Sequence, residues 1–239
     1  MHKVERAIIM AAGLGKRMQP LTLKIPKPLI KVNDTRMIDT VIKGLHKNGI
    51  YEIYIVVGYL KEKFKCLTEE YNGITLIENP YYDNCNNISS LYFARDYIEN
   101  AIILDGDQII YNDAVLRAEF ERSGYNAVWV EKTEEWLMTV KKDIVVNCSR
   151  TGGENGWQLY SISRWTKEDG IKLKKHLEIE FEKKKNHQIY WDDVAMFCYP
   201  KEYQLGIYIM EKNDVIEIDS IEELKIIDRN YEGVENEKK

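Results

Sequence analysis

Residues 11–32 of the chain read AAGLGKRMQPLTLKIPKPLIKV. The segment follows a short apolar run, AIIM at residues 7–10, and combines two glycines and three prolines with several lysine and arginine side chains. The apolar run predicts a buried strand, and the glycines and prolines predict an irregular loop after it. We therefore expect a positively charged loop at the carboxyl end of the first strand, which is where open α/β sheets place their ligands.

The residue types in this loop suit the binding of a polyphosphate. Gly13 and Gly15 can adopt backbone angles closed to other residues and bring amide hydrogens close to an anion. Lys16, Arg17 and Lys27 supply positive charge, and the prolines stiffen the loop. The spacing fits neither the Walker loop nor the dinucleotide fingerprint. A loop whose basic residues are only solvated is the alternative, but the strand before it and the PKPL sequence within it favour a phosphate site.

The composition narrows the class of protein. The chain has 239 residues and a formal net charge of −5, so it can bury a substantial core and has no bulk attraction to nucleic acid. The apolar run at residues 7–12 is too short for a signal peptide or a membrane span. We expect a cytoplasmic protein without a membrane or nucleic-acid partner. Its cysteines have neither CxxC nor zinc spacing, which predicts reduced thiols at Cys66, Cys85, Cys148 and Cys198.

Apolar β-branched runs alternate with amphipathic segments in the first half of the chain. This pattern is typical of βαβ units in a largely parallel sheet that is covered on both faces. Strands are predicted at residues 7–10, 53–57, 74–77, 101–104 and 126–130. Helices are predicted at residues 37–47, 60–71, 88–97 and 114–122.

The second half of the chain has shorter strand-like runs separated by turn-forming residues. Strands are predicted at residues 137–140, 143–146, 158–163, 206–210 and 215–218, and helices at 167–185, 192–197 and 221–230. We expect a single domain over residues 1–239 with a small β-rich insertion at about residues 131–165. The polar tail at residues 233–239 is expected to fray.

Two pairs of carboxylates are placed at the ends of predicted strands. Asp105 and Asp107 follow the strand at 101–104 in LDGDQ, and Glu217 and Asp219 end the strand at 215–218 in EIDS. Alternation along an extended chain puts the members of each pair on one side. Because Mg²⁺ prefers a few carboxylates together with water and substrate oxygens, Asp107 and Asp219 are predicted to hold it beside the polyphosphate. The alternative is that DGD forms a turn and that Asp219 with Ser220 caps the helix at 221–230.

The motifs of covalent catalysis and zinc hydrolysis are absent from the sequence. It has no G-x-S-x-G, no HExxH and no cysteine paired by spacing with a histidine. A phosphate monoester has a second pKa of about 6, so at neutral pH it can attack without a general base. If the attacking group is such a monoester, the protein has to bring two anions together, with lysine, arginine and Mg²⁺ screening charge and stabilising departing pyrophosphate.

Aromatic and acidic residues are the candidates for recognising the second reactant. Trp136 lies in EEWLM, and Tyr190 and Trp191 precede Asp192 and Asp193 in IYWDD. Ring faces combined with a carboxylate suit an ammonium group, because both attract a cation. The alternative is that these rings only pack in the core, as most of the sixteen tyrosines and five tryptophans must.

The loop at residues 11–32 resembles the signature AAGxGxRxxPLTxxxPKPL of the nucleotidyltransferases that make nucleotide-activated sugars and alcohols. This resemblance implies an α/β, Rossmann-like nucleotidyltransferase fold whose mixed, mostly parallel central sheet is flanked by helices. It also implies that Arg17, Lys27, Asp107 and Asp219 act in catalysis and that the two aspartates hold the metal. One departure is Gln19, where sugar-activating members often have another arginine.

The chain is also similar to bacterial CTP:phosphocholine cytidylyltransferases over nearly its whole length. The segments NNISSLYFA, AIILDGDQII, EEWLMTV, IYWDDV and VIEIDSIEEL occur in the same order and at similar spacing. The likeness implies CTP and a small phosphorylated amino alcohol, phosphocholine, as substrates. It places Trp136, Tyr190 and Asp192 at the trimethylammonium group, Lys27 near the acceptor phosphate and Glu217 among the acceptor residues. The residues implied for the nucleotide are Ala12, Gly13, Gly15, Lys16, Arg17, Asn87, Ser90 and Asp105.

Several alternatives stay open at the level of sequence. NCSRTGGENGWQLYSISRW matches the family least and lies in the insertion expected to line the acceptor pocket, so phosphoethanolamine or 2-aminoethylphosphonate would also fit. A sugar-1-phosphate nucleotidyltransferase would share the loop and the carboxylates but bind its acceptor through hydroxyl-directed polar groups. A non-catalytic nucleotide sensor would have little need for both Asp107 and Asp219. Asn87 could cap the helix at 88–97 instead of contacting the base. The sequence does not indicate the oligomeric state.

Overall fold

The computed structural model of the chain describes residues 1–234. The α-helices within them are α1 (Met37–Lys47), α2 (Lys65–Glu70), α3 (Ile88–Phe93), α4 (Lys167–Glu178) and α5 (Ile221–Ile227). The β-strands are β1 (His2–Lys3), β2 (Arg6–Ala11), β3 (Lys31–Val32), β4 (Thr35–Arg36), β5 (Glu52–Val57), β6 (Ile74–Glu78), β7 (Ala101–Asp105), β8 (Gln108–Ile110), β9 (Glu119–Phe120), β10 (Gly124–Thr133), β11 (Leu137–Lys141), β12 (Ile144–Ser149), β13 (Gly153–Trp165), β14 (Gly206–Ile209) and β15 (Val215–Glu217). No helix in residues 1–234 has the length and apolar character needed to cross a membrane.

The central sheet is mixed, which confirms the predicted α/β, Rossmann-like architecture. The strands β6, β5, β2 and β7 lie side by side in that order and run parallel. Ile8 and Ile9 of β2 are fully enclosed, because apolar side chains pack on both faces of the sheet. Beyond β7, β13 continues the sheet in the antiparallel direction, and β10 and β14 follow.

The strands β11 and β12 form a β-hairpin that pairs with β13 of the sheet. The hairpin strands are antiparallel, and Leu137 and Met138 of β11 pair with Gln158 and Trp157 of β13. The carbonyl oxygen of Trp136 accepts a hydrogen bond from the backbone N–H of Leu159 at 2.8 Å. This pairing fixes the start of the hairpin against β13, on the side of β7.

Most predicted helices are present, several of them shorter than expected. α1 confirms the helix at residues 37–47. The predicted helices at 60–71 and 88–97 are α2 and α3, each with an adjoining 3-10 turn. The predicted helix at 167–185 is α4 continued by a π-helical turn, and a second π-helical turn, Val194–Cys198, occupies the place of the helix predicted at 192–197.

The prediction of a helix at residues 114–122 is wrong. The segment makes one 3-10 turn, Asp113–Leu116, and then forms β9, which pairs with β1. From Leu116 to Phe120 the residues are alternately buried and exposed, which is the period of a strand and not of a helix. Pairing with β1 gives this short run the hydrogen bonds that a helix would otherwise have supplied.

A separate apolar cluster lies beneath the loop that follows β2. Antiparallel pairing of β8 with β15 lies next to this cluster and sets Gln108 opposite Glu217. Asp107 precedes β8 and Asp219 follows β15, so the pairing brings the two aspartates to one place. Of the tail predicted to fray, residues 235–239 lie outside the residues that the structure describes. The cluster consists of Met18, Ile30, Val32, Met37, Ile109, Ile218 and Leu224.

Candidate active site

The loop after β2 is shaped by two glycines that have different roles. Gly15 has a φ of 61°, and a Cβ built there would lie 2.8 Å from Cγ2 of Thr22, so other residues are strained at this position. The Thr22 hydroxyl donates a hydrogen bond to the Gly15 carbonyl oxygen at 2.9 Å. A Cβ built on Gly13 would meet no atom within 4 Å. Gly15 therefore shapes the loop, whereas Gly13 leaves the space in front of it open.

Lys27 lies between the two aspartates that the sequence singled out. Its Nζ is 2.6 Å from Oδ2 of Asp107 and 2.8 Å from Oδ1 of Asp219, and the residue is only 8% exposed. Burial opposes the charge on Lys27, but the two carboxylates outweigh it and raise the pKa of Lys27. Burial likewise opposes the charge on Asp219, but Lys27 and Arg17 outweigh it and lower the pKa of Asp219. Nη2 of Arg17 is 2.9 Å from Oδ1 of Asp219.

Asp219 is held in position by the start of α5. Ser220 caps that helix, and Ser220 and Glu223 form a reciprocal capping box. The Glu223 carboxylate also accepts a hydrogen bond from the backbone N–H of Asp219 at 2.6 Å. The serine that sequence reasoning offered as part of a cap therefore does cap the helix, and the aspartate before it remains free to contact Lys27 and Arg17.

A cavity of about 410 Å³ opens in front of the glycine loop. Its cationic side chains are Lys16, Arg17 and Lys27, and its carboxylates are Asp107 and Asp219. A concave site with bare loop backbone and three cations suits a polyphosphate. The lining residues are Met10, Ala11, Gly13, Leu14, Gly15, Lys16, Arg17, Lys27, Pro28, Asp107 and Asp219.

A second cavity, of about 290 Å³, lies on the other side of Arg17, Asp107 and Asp219, which line both cavities. Four further carboxyl groups line it, and Arg17 is the cation among its described lining residues. The second cavity is therefore strongly acidic where the first is basic. Its lining consists of Arg17, Asn87, Asp105, Asp107, Glu135, Trp136, Leu159, Ser161, Tyr190, Asp192, Glu217 and Asp219.

Burial raises the pKa of several carboxyl groups of this second cavity. It raises the pKa of Asp192 to about 7, against the opposing influence of the Tyr125 hydroxyl. It also raises the pKa of Glu217 to about 7, although Glu217 accepts a hydrogen bond from Gln108 at 2.7 Å. Burial and the nearby Asp107 and Glu217 charges raise the pKa of Asp105. Such groups would ionise more readily beside a bound cation.

Two aromatic rings form one wall of the second cavity. The ring centroids of Trp136 and Tyr190 are 5.7 Å apart and the ring planes are nearly perpendicular, at 87°. Phe197 also packs its ring edge to face against Trp136, with ring centroids 5.6 Å apart. Asp192 also lines this cavity, but its Oδ1 is fully buried on the side of the Tyr125 hydroxyl. Aromatic faces together with carboxyl oxygens are the surroundings that attract an ammonium group.

Most of the predicted site residues line one of the two cavities, and several of those predicted for the nucleotide do not line the first. Gly13, Gly15, Lys16 and Arg17 line the first cavity, as the nucleotide prediction requires. Ala12 is buried beside them, and its carbonyl oxygen accepts a hydrogen bond from Tyr59. Of the five residues predicted for the acceptor, Lys27 lines the first cavity and the other four line the second, namely Trp136, Tyr190, Asp192 and Glu217.

Asn87, Ser90 and Asp105 lie away from the first cavity. The Asn87 side chain neither caps α3 nor faces the glycine loop, because its Oδ1 accepts a hydrogen bond from the backbone N–H of Trp191 at 2.9 Å. Ser90 is buried and accepts a hydrogen bond from Asn79 at 3.0 Å. Asn87 and Asp105 both line the second cavity. Trp191, in contrast to its neighbour Tyr190, packs in the core.

Sequence reasoning missed several residues of the second cavity. Glu135 precedes Trp136 in EEWLM, so its position beside a predicted site residue was the signal that could have found it. Leu159 and Ser161 come from the middle of β13, and their presence depends on how β13 pairs with β7 and β11. No local motif marks either residue.

The residues that could hold a divalent cation are Asp107 and Asp219. Their facing carboxylate oxygens both contact the Lys27 ammonium, so the position between them already attracts positive charge. Two carboxylates are a donor set that fits Mg²⁺, which usually takes its remaining ligands from water and phosphate oxygens. Within residues 1–234, no group of three or more histidine, cysteine, aspartate or glutamate side chains is placed to hold a metal ion.

The chain is similar to known proteins along most of its length. The family model described as "Nucleotidyl transferase" matches residues 6–134. A 2-aminoethylphosphonate cytidylyltransferase from Lancefieldella rimae is 36% identical and covers 94% of this chain and 92% of its own. A choline-phosphate cytidylyltransferase from Streptococcus pneumoniae is 33% identical and covers 92% of this chain and 95% of its own. A solved structure of CTP:phosphocholine cytidylyltransferase from Streptococcus pneumoniae has a TM-score of 0.88 at 32% identity, covering 95% of this chain and 99% of that one.

The two loop glycines should respond differently to substitution. Gly15→Ala places a Cβ against Thr22 at a positive φ and should lower the free energy of unfolding by about 1–3 kcal/mol. Gly13→Ala meets no neighbour and should change it by less than about 0.5 kcal/mol. Denaturant titration of both variants measures the difference. Equal losses would show that the described loop conformation is wrong.

The buried carboxyl of Asp192 should make the protein less stable as the pH rises. Its folded pKa of about 7 lies above the unfolded value of about 3.9, so the folded state holds a proton that the unfolded state releases between these values. Asp192→Asn removes this penalty. The melting temperature of the variant minus that of the wild type should therefore increase by at least about 2 °C from pH 5 to pH 8.

Asp96→Asn is the matched control for this pH series. The hydrogen bond from Lys174 lowers the pKa of Asp96, so its contribution to stability is already complete above the unfolded pKa. The melting temperature of Asp96→Asn minus that of the wild type should stay constant between pH 5 and pH 8. If the melting-temperature difference for Asp192→Asn is equally independent of pH, the raised pKa of Asp192 is contradicted.

Proposed function

The chain belongs to the nucleotidyl transferase family, among its cytidylyltransferases, and from this premise we propose that it transfers CMP from CTP to phosphocholine, giving CDP-choline and pyrophosphate. The observation that carries the proposal is the junction of two unlike cavities. A basic cavity at the glycine loop meets an acidic, aromatic cavity at Arg17, Asp107 and Asp219. A triphosphate suits the first, and an acceptor with an ammonium group suits the second.

The proposed reaction is an in-line displacement at the α-phosphorus of CTP. An acceptor phosphate oxygen forms the new bond to phosphorus while the bond to the β-phosphate bridging oxygen breaks and pyrophosphate departs. The acceptor phosphate is largely ionised at neutral pH, so no side chain has to remove a proton. The protein brings two anions together and stabilises the developing charge, mainly through Lys27 and Arg17.

Lys27 is suited to this role by its remaining hydrogen-bonding capacity. Its ammonium has three N–H donors, of which two are directed at Asp107 and Asp219. No further hydrogen bond from this ammonium occurs within residues 1–234, so one donor is available to a phosphate oxygen. The two carboxylates keep Lys27 charged in spite of its burial.

Mg²⁺ is proposed as the cofactor, held by Asp107 and Asp219. When bound there, it would supply Lewis-acid stabilisation of the phosphate oxygens. To hold the cation, the two aspartates would exchange their present contacts with Lys27 and Arg17 for contacts with Mg²⁺. Lys27 and Arg17 would then direct their charge at the reacting phosphates.

2-Aminoethylphosphonate is the second candidate acceptor, and one observation favours it. The carboxyl groups that line the second cavity, among them Asp105, Asp192 and Glu217, could accept N–H hydrogen bonds from a primary ammonium, whereas a trimethylammonium group has no N–H to donate. The perpendicular rings of Trp136 and Tyr190 favour the trimethylammonium group instead. The chain is similar to a 2-aminoethylphosphonate cytidylyltransferase and to choline-phosphate cytidylyltransferases. This similarity supports comparing phosphocholine and 2-aminoethylphosphonate first as acceptors.

Removal of either metal-site carboxylate should abolish turnover without unfolding the protein. Asp107→Asn and Asp219→Asn keep the shape of the side chain but remove the charge that would bind the cation, so kcat should fall by at least about 100-fold. Chelation of divalent cations should do the same to the wild type, and added Mg²⁺ should restore its activity. Pyrophosphate release measures each rate.

Asp96→Asn is the control for these two variants, because Asp96 is an ion-paired aspartate that lines neither cavity. It should retain wild-type kcat. Near-normal turnover of Asp107→Asn or Asp219→Asn would remove that aspartate from the metal site.

A substrate panel tests the proposed function directly. CTP, UTP and dTTP are each combined with phosphocholine, phosphoethanolamine, 2-aminoethylphosphonate and glucose 1-phosphate, and pyrophosphate release is followed. CTP with phosphocholine should give the highest kcat/KM. Trp136→Ala should raise the KM for phosphocholine about tenfold and leave the KM for CTP nearly unchanged, because it removes one face of the aromatic wall.

Trp129→Ala is the matched control, since Trp129 is 52% exposed and lines neither cavity. It should not change either KM. Highest activity with 2-aminoethylphosphonate would select the second candidate. Highest activity with glucose 1-phosphate would refute an ammonium acceptor, and CTP binding without pyrophosphate release for any acceptor would indicate a nucleotide sensor.

A further inference from the structure

We propose that Arg150 is a positioning residue for the acceptor cavity, acting through Asp193 and Phe197 on the two aromatic rings of its wall. Arg150 lines neither of the two cavities described above, so it would not touch a reactant there. It lies immediately after β12, in the turn-rich segment that resembles the family least. The inference rests on the proposed function only in treating the second cavity as the acceptor site.

One side of the arrangement is an ion pair that holds Tyr190. Nε and Nη2 of Arg150 both donate to Oδ1 of Asp193, at 2.8 and 2.6 Å. The other carboxylate oxygen of Asp193 accepts a hydrogen bond from the backbone N–H of Tyr190 at 2.9 Å. Arg150 therefore fixes the carboxylate that in turn fixes the backbone of Tyr190.

The other side of the arrangement is a stack that holds Trp136. The guanidinium carbon of Arg150 lies 3.9 Å from the ring centroid of Phe197 and 5.8 Å from that of Trp136. Phe197 meets Trp136 edge to face, with ring planes at 80°. A planar guanidinium can stack on a ring and bind a carboxylate at once, which a lysine ammonium cannot reproduce. The same side chain therefore supports both rings of the wall.

The burial of Asp193 distinguishes this pair from an ordinary surface salt bridge. The Asp193 side chain is 4% exposed, whereas that of Arg150 is 47% exposed. Ion pairs between two exposed groups contribute little, but removing the partner of a buried charge leaves that charge uncompensated. Without Arg150, Asp193 would be expected to move toward water, and its hydrogen bond to Tyr190 would be lost with it.

The expected consequence is confined to the acceptor. The glycine loop, Lys27 and the two metal-site aspartates make no contact with Arg150 or Asp193 among the described interactions. Loss of the guanidinium should therefore loosen the Trp136 and Tyr190 wall while the basic cavity stays intact. Arg150→Met should raise the KM for phosphocholine and 2-aminoethylphosphonate about tenfold, with the KM for CTP and the kcat at saturating acceptor within about threefold of wild type.

Arg150→Lys and Arg95→Met are the matched variants. Arg150→Lys keeps the positive charge but loses the fork and the stack, so its acceptor KM should lie between those of the wild type and Arg150→Met. Arg95 also combines an ion pair, to Glu178 at 3.1 Å, with a ring, Tyr92 at 4.1 Å, but lines neither cavity. Arg95→Met should leave both KM values unchanged. An unchanged acceptor KM in Arg150→Met, or an equal rise in the KM for CTP, would overturn the proposal.

A double-mutant cycle with Asp193→Asn tests whether Arg150 acts through that carboxylate. Asp193→Asn removes the buried charge. Adding Arg150→Met to this variant should therefore raise the acceptor KM much less than adding it to the wild type. Additive effects on acceptor KM would show that Arg150 acts by another route and would overturn the proposal.

Acrylamide quenching of tryptophan fluorescence gives a readout without any substrate. The contribution of Trp136 is the difference between each protein and its Trp136→Phe counterpart. Arg150→Met should make this component more accessible to acrylamide, and Arg95→Met should not. If the substrate panel finds a different acceptor class while the quenching changes as expected, the proposed function fails and the positioning role stands. Unchanged quenching overturns the positioning role whichever acceptor is used.

Discussion

The contact of one buried ammonium with two carboxylates is the interaction on which the site depends. Lys27 joins Asp107, 80 positions along the chain, and Asp219, 192 positions along the chain. A buried lysine is costly unless its charge is compensated, so the loop after β2, the turn after β7 and the segment before α5 are held to a common geometry. The apolar cluster beneath the loop and the β8–β15 pairing supply the packing that allows this contact to form. The contact of Lys27 with the two aspartates therefore also forms the wall between the two cavities.

The opposite charge of the two cavities would orient a zwitterionic acceptor. An ammonium group is attracted to the carboxyl groups of the second cavity, while an attached phosphate is attracted to Arg17 and Lys27 at the wall. The pKa values of Asp192 and Glu217, raised to about 7 by burial, mean that these groups gain charge when a cation arrives. Recognition of the ammonium group and ionisation of its pocket would therefore favour each other.

The part of the site that could be predicted from sequence is the part encoded in continuous motifs. The loop at residues 11–32, which contains Lys27, and the turn with Asp107 each follow a buried strand, and parallel strands bring such segments to one edge of a sheet. The error at residues 114–122 arose because five apolar residues in nine positions also fit a helix, and only pairing with the remote β1 decides between helix and strand. Arg150 had no signal at all, because its partners are brought to it by the hairpin and by the segment around residue 193.

The boundary of the family match divides the site in a way that bears on specificity. Residues 6–134 contain the glycine loop, Lys27 and Asp107, whereas the aromatic wall, Asp192 and Arg150 all lie beyond them. Asp219 is the exception, since it lies late in the chain and contacts Lys27. Residues of the aromatic wall can therefore change with little effect on the first cavity, provided that Asp219 keeps its contact with Lys27. Since Arg150 holds two faces of that wall at once, a substitution there would alter the acceptor pocket without altering any residue that lines it.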